Sequence, residues 1–345
     1  MDSVRGYPLL VVIDPVARST DGESVRIARD VLSAGAGAAG AKICLPQGPE
    51  EFARALARRG QRRPVVIGDD RALLRVVGLL HKERELGRVP VGMVPVGASA
   101  SVALSRALGV PTDTVAAART VLDGGERAMD LLTDDSDGIV LGELRIPCGD
   151  MQEPDGCGPG AVACPVPQAG PGDGHRPWWA PAARTARTAL ALLAPAAGLG
   201  LGGRREGVSP ARTLLRAWGK VPTHRLRIEA DGVVLADLDR PVRAVSVVPG
   251  AAGGAGTAGA AGLAGGGYDF GPGPGSVDGS GAGTHGLAQI EVRWPGEARS
   301  VRTRARTVTV SGADFHYRAD AVVGGPVRTR TWTVQAGAWR LTVPR

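Results

Sequence analysis

The first 122 residues alternate short apolar runs with amphipathic segments, and this alternation limits the possible folds more than any other feature. The run at 9–13 is five consecutive apolar residues, closed by Asp14-Pro15. Uninterrupted runs of this length are typical of strands buried on both faces of a parallel sheet. Further strands are predicted at 41–45, 64–67 and 89–96, and helices at 24–32, 49–59, 71–81, 99–108 and 112–122. The alternation predicts an α/β fold with a doubly wound parallel sheet.

From residue 129 onward the pattern becomes β-rich. Short alternating runs recur to the end of the chain, and Asp231-Gly232 has the composition of a tight hairpin turn. We therefore expect two domains: an α/β domain over 1–128 and a β-rich, β-sandwich-like domain over 129–345. The last strand is expected to pack back toward the first domain.

Glycine and proline are abundant and clustered, with 52 glycines and 26 prolines. Stretches of this composition lack a core-forming pattern. Disordered insertions are predicted at 147–177, 195–210 and 250–286. Between the first two, a basic helix at 178–193 begins with Trp178-Trp179, and it suits either a membrane interface or packing onto the β-rich domain.

Composition excludes several classes of protein. The net charge is +7, but only three of the 41 basic residues are lysines, which we interpret as the mark of a GC-rich genome. The basic residues form no dense run and aromatics that could stack on bases are scarce, so no nucleic-acid partner is expected. No run of 18 apolar residues and no secretion signal occur, which predicts a cytoplasmic protein. The four cysteines lack zinc-site spacing, so no metal site is predicted.

Four motifs follow one another along the chain. Asp14-Pro15 ends the first strand, and Gly68-Asp69-Asp70-Arg71-Ala72 ends the third. Residues 90–100 read Pro-Val-Gly-Met-Val-Pro-Val-Gly-Ala-Ser-Ala and lead to Leu-Gly-Val-Pro at 108–111. The fourth motif begins at Asp320. In order and spacing these motifs resemble the diacylglycerol kinase catalytic-domain family, over 9–145 and more weakly over 224–345.

The resemblance implies ATP- and Mg²⁺-dependent phosphorylation of a lipid hydroxyl, at a cleft between two domains. The family's Gly-Gly-Asp-Gly-Thr loop brings backbone amides to phosphate, and its Asp-Gly-Glu motif brings a carboxylate to the acceptor hydroxyl. Carried over by position, the candidate general base is Asp320. The candidate nucleotide-binding residues are Asp14, Gly68, Asp70, Arg71, Gly97 and Ser99. A lipid substrate and a membrane surface are the implied partners, with the protein peripheral to the membrane.

The motifs are also degenerate, which leaves the function open. Asp69 places negative charge where phosphate would come, and Ala72 lacks the family's hydroxyl. Arg71 could donate a bidentate contact to phosphate, or lie in a solvated loop. Ser99 could donate its hydroxyl or cap a helix. Two functions follow: an ATP-dependent lipid kinase, or a catalytically silent module on the same fold that binds a nucleotide, a lipid or a protein.

Overall fold

The computed structural model describes residues 8–148, 223–250, 286–297 and 299–345. These residues form a four-stranded parallel sheet with helices and a ten-stranded antiparallel sheet. Almost all of the predicted insertions, and the predicted helix at 178–193, lie outside the described residues.

The parallel sheet confirms the fold predicted for the first part of the chain. Its strands are β1 (Leu9–Ile13), β2 (Ala41–Cys44), β3 (Arg63–Gly68) and β4 (Gly92–Pro95), in the spatial order β2-β1-β3-β4. Every residue of β1 is buried, as its apolar run predicts. The carboxyl ends of β1 and β3 are neighbours, so the residues that follow them meet at one edge.

Six helices connect these strands and lead into the second sheet. They are α1 (Pro15–Thr20), α2 (Gly22–Gly35), α3 (Pro49–Ala57), α4 (Asp70–Lys82), α5 (Ala103–Ala107) and α6 (Thr114–Asp123). The single helix predicted at 99–108 is wrong. A 3₁₀ turn at Ser99–Val102 precedes α5, because the Ser101 amide and hydroxyl both donate to the Ala98 carbonyl at 2.8 Å.

The antiparallel sheet contains ten strands. They are β5 (Gly125–Asp134), β6 (Ile139–Val140), β7 (Leu144–Ile146), β8 (Leu226–Ala230), β9 (Val233–Ala236), β10 (Ala244–Val248), β11 (Ala288–Arg293), β12 (Ser300–Ala305), β13 (Thr307–Ala319) and β14 (Val322–Val343). The short alternating runs at the end of the chain belong to one long strand, β14, of 22 residues. It is irregular between Gln335 and Trp339, where Gly337 has φ +55°.

The two sheets share a hydrophobic core. Leu73 and Val77 of α4 belong to the same buried cluster as Leu131 of β5 and Trp339 of β14. The end of β14 also runs beside Val91, whose amide donates to the Arg340 carbonyl at 2.8 Å. The boundary expected at residue 129 falls inside β5. The sheets are therefore fixed against each other by packing and by backbone hydrogen bonds.

Candidate functional site

Asp14 lies at the carboxyl end of β1 and begins α1. Its Oδ2 accepts the Val16 amide at 3.0 Å, and Pro15 occupies the first helical position, where its missing N–H costs nothing. Its Oδ1 accepts Nη1 of Arg75 from α4 at 3.1 Å. The residue is 4% exposed. Both carboxylate oxygens are thus occupied by protein donors.

Gly68 ends β3 directly beside Asp14. A Cβ at this position would lie 2.8 Å from the Asp14 Cβ and 2.9 Å from the Ala72 Cβ. Such distances are well inside van der Waals contact, so the position admits only glycine without a shift of the backbone. The packing of β3 against α1 and α4 is sufficient to explain this retained glycine.

Asp69 takes the position of a family glycine and begins α4. Its Oδ1 accepts the Ala72 amide at 3.0 Å, which satisfies a first-turn donor of the helix. Burial raises the pKa of the Asp69 carboxyl, and the nearby charges of Asp14 and Asp70 raise it further. The structure therefore places carboxylates at the edge of the sheet where the family resemblance implied a phosphate-binding loop.

Asp70 is the acidic residue that the loop retains, and it is 4% exposed. Its Oδ2 accepts the Leu104 amide at 2.8 Å. Its Oδ1 accepts the Ser105 amide at 2.9 Å and the Ser105 hydroxyl at 2.6 Å. Asp70 therefore holds the start of α5 against α4.

Two arginines of α4 differ in their surroundings. Arg71 is exposed and forms no ion pair with the part of the chain that the structure describes. Arg75, one turn further on, pairs with Asp14 and lies over the Phe52 ring at 5.3 Å. Sequence reasoning missed Arg75, although a basic residue among the apolar positions of a buried helix was the available signal.

Gly97 and Ser99 lie in the loop that follows β4. Gly97 has φ +147°, and a Cβ there would be 2.6 Å from the Ser101 hydroxyl. The Ser99 hydroxyl accepts Nη2 of Arg106 at 2.9 Å. Ser99 is not the helix N-cap that its sequence suggested, because Ala98 holds that position. The Gly97 backbone also approaches Asp69, which places this loop at the same sheet edge.

Asp320 lies at the tip of the β13–β14 hairpin with φ +51°. Its Oδ2 accepts the Leu141 amide at 2.7 Å, and its Oδ1 accepts the amides of Gly142 and Glu143 at 2.8 Å each. Burial raises the pKa of the Asp320 carboxyl to about 6, although the three backbone donors lower it. The negative charge of Asp70 is a further cause of the raised pKa.

The structure thus brings the predicted residues together in two groups. Asp14, Gly68 and Gly97 meet at the edge of the parallel sheet, where Asp69 joins them. Asp70 and Asp320 lie on either side of the contact between the Leu104 side chain and Gly142.

Within the described residues, no group of three or more histidine, cysteine or carboxylate side chains could hold a metal ion. Likewise, no helix among those residues is both long and apolar enough to span a bilayer.

The fold thus combines a parallel sheet whose helices pack on an antiparallel sheet with glycines at the end of β3 and in the turn that follows β4. Residues 8–133 match the model of the diacylglycerol kinase catalytic domain. Those residues belong to the diacylglycerol kinase catalytic-domain family, as the sequence motifs predicted.

Solved structures support the same fold. A diacylglycerol kinase from Bacillus anthracis str. Sterne is similar with a TM-score of 0.57 and 12% identity, over 98% of this chain and 97% of that chain. Two further structures from the same organism, each proposed to be a diacylglycerol kinase, have TM-scores of 0.56 at 13% and 12% identity over the same shares. At such identities the likeness concerns the fold alone. No curated protein matches this chain.

Proposed function

We propose that this chain is a catalytically silent member of the lipid-kinase family that acts as a binding module. The observation that carries the proposal is that Asp14 and Asp69 cap the helices that follow β1 and β3. These helix N-termini are where a parallel α/β sheet binds phosphate. In this protein the carboxylates of Asp14 and Asp69 occupy those helix N-termini.

The residues do not fit Mg²⁺-ATP in the way the family resemblance implies. Asp69 accepts a first-turn amide of α4, and both oxygens of Asp14 are already bonded. A triphosphate at these helix N-termini would meet the Asp69 carboxylate and the Asp14–Arg75 pair, and like charges at close range repel by several kcal/mol where water is excluded. Within the described residues, no metal-binding cluster offsets this charge.

A second candidate, phosphorylation of a lipid hydroxyl, has one observation in its favour. The pKa of Asp320, about 6, suits a general base at neutral pH. All the same, its two oxygens accept three backbone amides. Asp320 would have to release those donors before it could reach a substrate.

Calorimetric titration of the full chain with Mg²⁺-ATP tests the proposal, accompanied by a phosphoryl-transfer assay on diacylglycerol vesicles. We expect no heat of binding at millimolar ATP and no labelled phosphatidic acid. Saturable ATP binding together with transfer that is lost in Asp320→Asn would support the kinase instead.

A further inference from the structure

Exposed apolar side chains lie at the carboxyl edge of the parallel sheet, outside the carboxylates that cap α1 and α4. Leu45 directly follows β2 and is 51% exposed, and Val16 follows β1 and is 57% exposed. Because Val12 is paired with Cys44, Leu45 lies beside the end of β1. Two apolar side chains at neighbouring strand ends are therefore open to solvent.

Arginines continue this edge. Arg18 of α1, Arg71 of α4 and Arg106 of α5 follow β1, β3 and β4. Arg18 donates to Gln47 at 3.1 Å and Arg106 donates to the Ser99 hydroxyl at 2.9 Å, so both are positioned by neutral acceptors. None of the three forms an ion pair with the residues that the structure describes. The five exposed or half-buried side chains of this edge are here called the rim: Val16, Arg18, Leu45, Arg71 and Arg106.

The rim has a direction. Its strands follow the order β2-β1-β3-β4, so the rim is apolar at the β2 end and basic at the β4 end. With neighbouring strands about 4.8 Å apart, it is about 14 Å long, and about five residues of an extended peptide would cover it. Beyond Leu45, residues 47–51 and Arg54 line a groove of about 530 Å³. Glu50 and Glu51 in that groove make the β2 end unfavourable for an acidic ligand.

The carboxylates near the basic end are already bonded within the protein. Asp14 pairs with Arg75 at 3.1 Å, and Asp69 caps α4 through the Ala72 amide at 3.0 Å. Burial raises the pKa of Asp69 even though the charge of Arg71 lowers it, and the two side chains form no ion pair. The Arg71 guanidinium is therefore available to an acidic ligand.

A peptide suits this surface better than a nucleotide. Phosphates at a sheet edge bind first-turn helix amides, and here Asp14 and Asp69 accept those amides. A peptide carboxylate needs none of them, because an arginine side chain can bind it with two parallel hydrogen bonds. Exposed apolar groups next to the arginines supply contacts that a nucleotide's phosphates would not use.

We propose that the rim binds an extended peptide segment of a partner protein, apolar at one end and acidic at the other. The apolar residues of the segment lie on Val16 and Leu45, and its carboxylates lie on Arg71 and Arg106. This inference rests on the proposed function, because the peptide and Mg²⁺-ATP would occupy the same edge of the sheet.

Fluorescence anisotropy with a labelled peptide tests the proposal on the full chain. The probe is Leu-Val-Ser-Glu-Ser-Glu-Glu, and its control has glutamine in place of each glutamate. The acidic peptide should bind saturably at low ionic strength, the glutamine peptide should not, and added salt should weaken the binding.

Variants of the rim locate the binding. At about threefold for each exposed ion pair, Arg71→Gln with Arg106→Gln should weaken binding roughly tenfold. Leu45→Ser should weaken it about fivefold through lost apolar contact. The matched control is Arg58→Gln with Arg62→Gln, which removes the same charge near the start of β3, at the opposite end of the sheet.

Equal weakening by that control would show that only net charge matters, and would overturn the proposal. So would absence of acidic-peptide binding, or equally tight binding of the glutamine peptide. Thermal unfolding of every variant checks that it is folded.

A Mg²⁺-ATP titration of the same sample separates this inference from the proposed function. We expect peptide binding without ATP binding. If neither ligand binds, the inference is overturned and the proposed function stands, whereas saturable ATP binding by the peptide-free protein overturns the proposed function itself.

Discussion

The Asp70 and Asp320 carboxylates each hold a backbone turn, and the two turns touch. Asp70 accepts the Leu104 amide and Asp320 accepts the Gly142 amide, while a Cβ on Gly142 would lie 2.5 Å from Leu104 Cδ1. Two positions that the family resemblance assigns to chemistry therefore join the parallel sheet to the antiparallel one. Their first measurable effect should be on stability.

Replacement of Asp70 by alanine should destabilise the protein by about 3 kcal/mol, because two buried backbone amides and one hydroxyl lose an ionised acceptor. Urea unfolding at neutral pH measures the change. Asp70→Asn keeps one acceptor oxygen and should cost less than Asp70→Ala. Equal stability of wild type and Asp70→Ala would show that the carboxylate is not holding α5.

Asp320 should make stability depend on pH. Because its folded pKa, about 6, exceeds the ordinary value of 3.8, the folded state binds the proton more tightly than the unfolded state. The contribution of Asp320 to stability is therefore greatest below pH 4 and is lost as pH rises through about 6, by about 3 kcal/mol in all.

Asp320→Asn removes that titration, and asparagine tolerates positive φ. Its free energy of unfolding should rise relative to wild type between pH 4 and pH 7, when both are followed by urea unfolding. A difference between the two proteins that is constant over this range would contradict the raised pKa.

The Asp14–Arg75 pair should be energetically coupled. Arg75→Gln leaves the buried Asp14 carboxylate without its cation and should cost about 2 kcal/mol. Asp14→Asn keeps an acceptor for the helix amide, so a double-mutant cycle of the two isolates the ion pair. Additive effects in thermal unfolding would show that the contact contributes nothing.

Gly97 should not tolerate a side chain. Gly97→Ala places a Cβ 2.6 Å from the Ser101 hydroxyl at a positive φ and should cost about 1–3 kcal/mol. The matched control is Gly48→Ala, where the backbone is extended and no atom lies within 4 Å of the added Cβ. If both substitutions lowered the melting temperature equally, the strain at Gly97 would be refuted.

The parallel sheet was predictable because its evidence is local: apolar runs, helical periodicity and short loops. The short helix α1 also had a local signal, Asp14 followed by Pro15, but the sequence interpretation left this segment without a helix. The roles of the carboxylates had no such signal. Asp70 bonds a residue 34 positions away, and Asp320 bonds one 179 positions away. Only the folded chain shows that these side chains accept backbone amides.

The most direct test of the central claim is calorimetric titration with Mg²⁺-ATP of wild type and of a variant with Asp69→Gly and Arg71→Gly. The variant removes the carboxylate cap of α4 and restores the two glycines of the family loop. We predict no binding by wild type and measurable binding by the variant. Saturable binding by wild type, weakened rather than strengthened in the variant, would contradict the claim that the carboxylates of this chain occupy the place of phosphate.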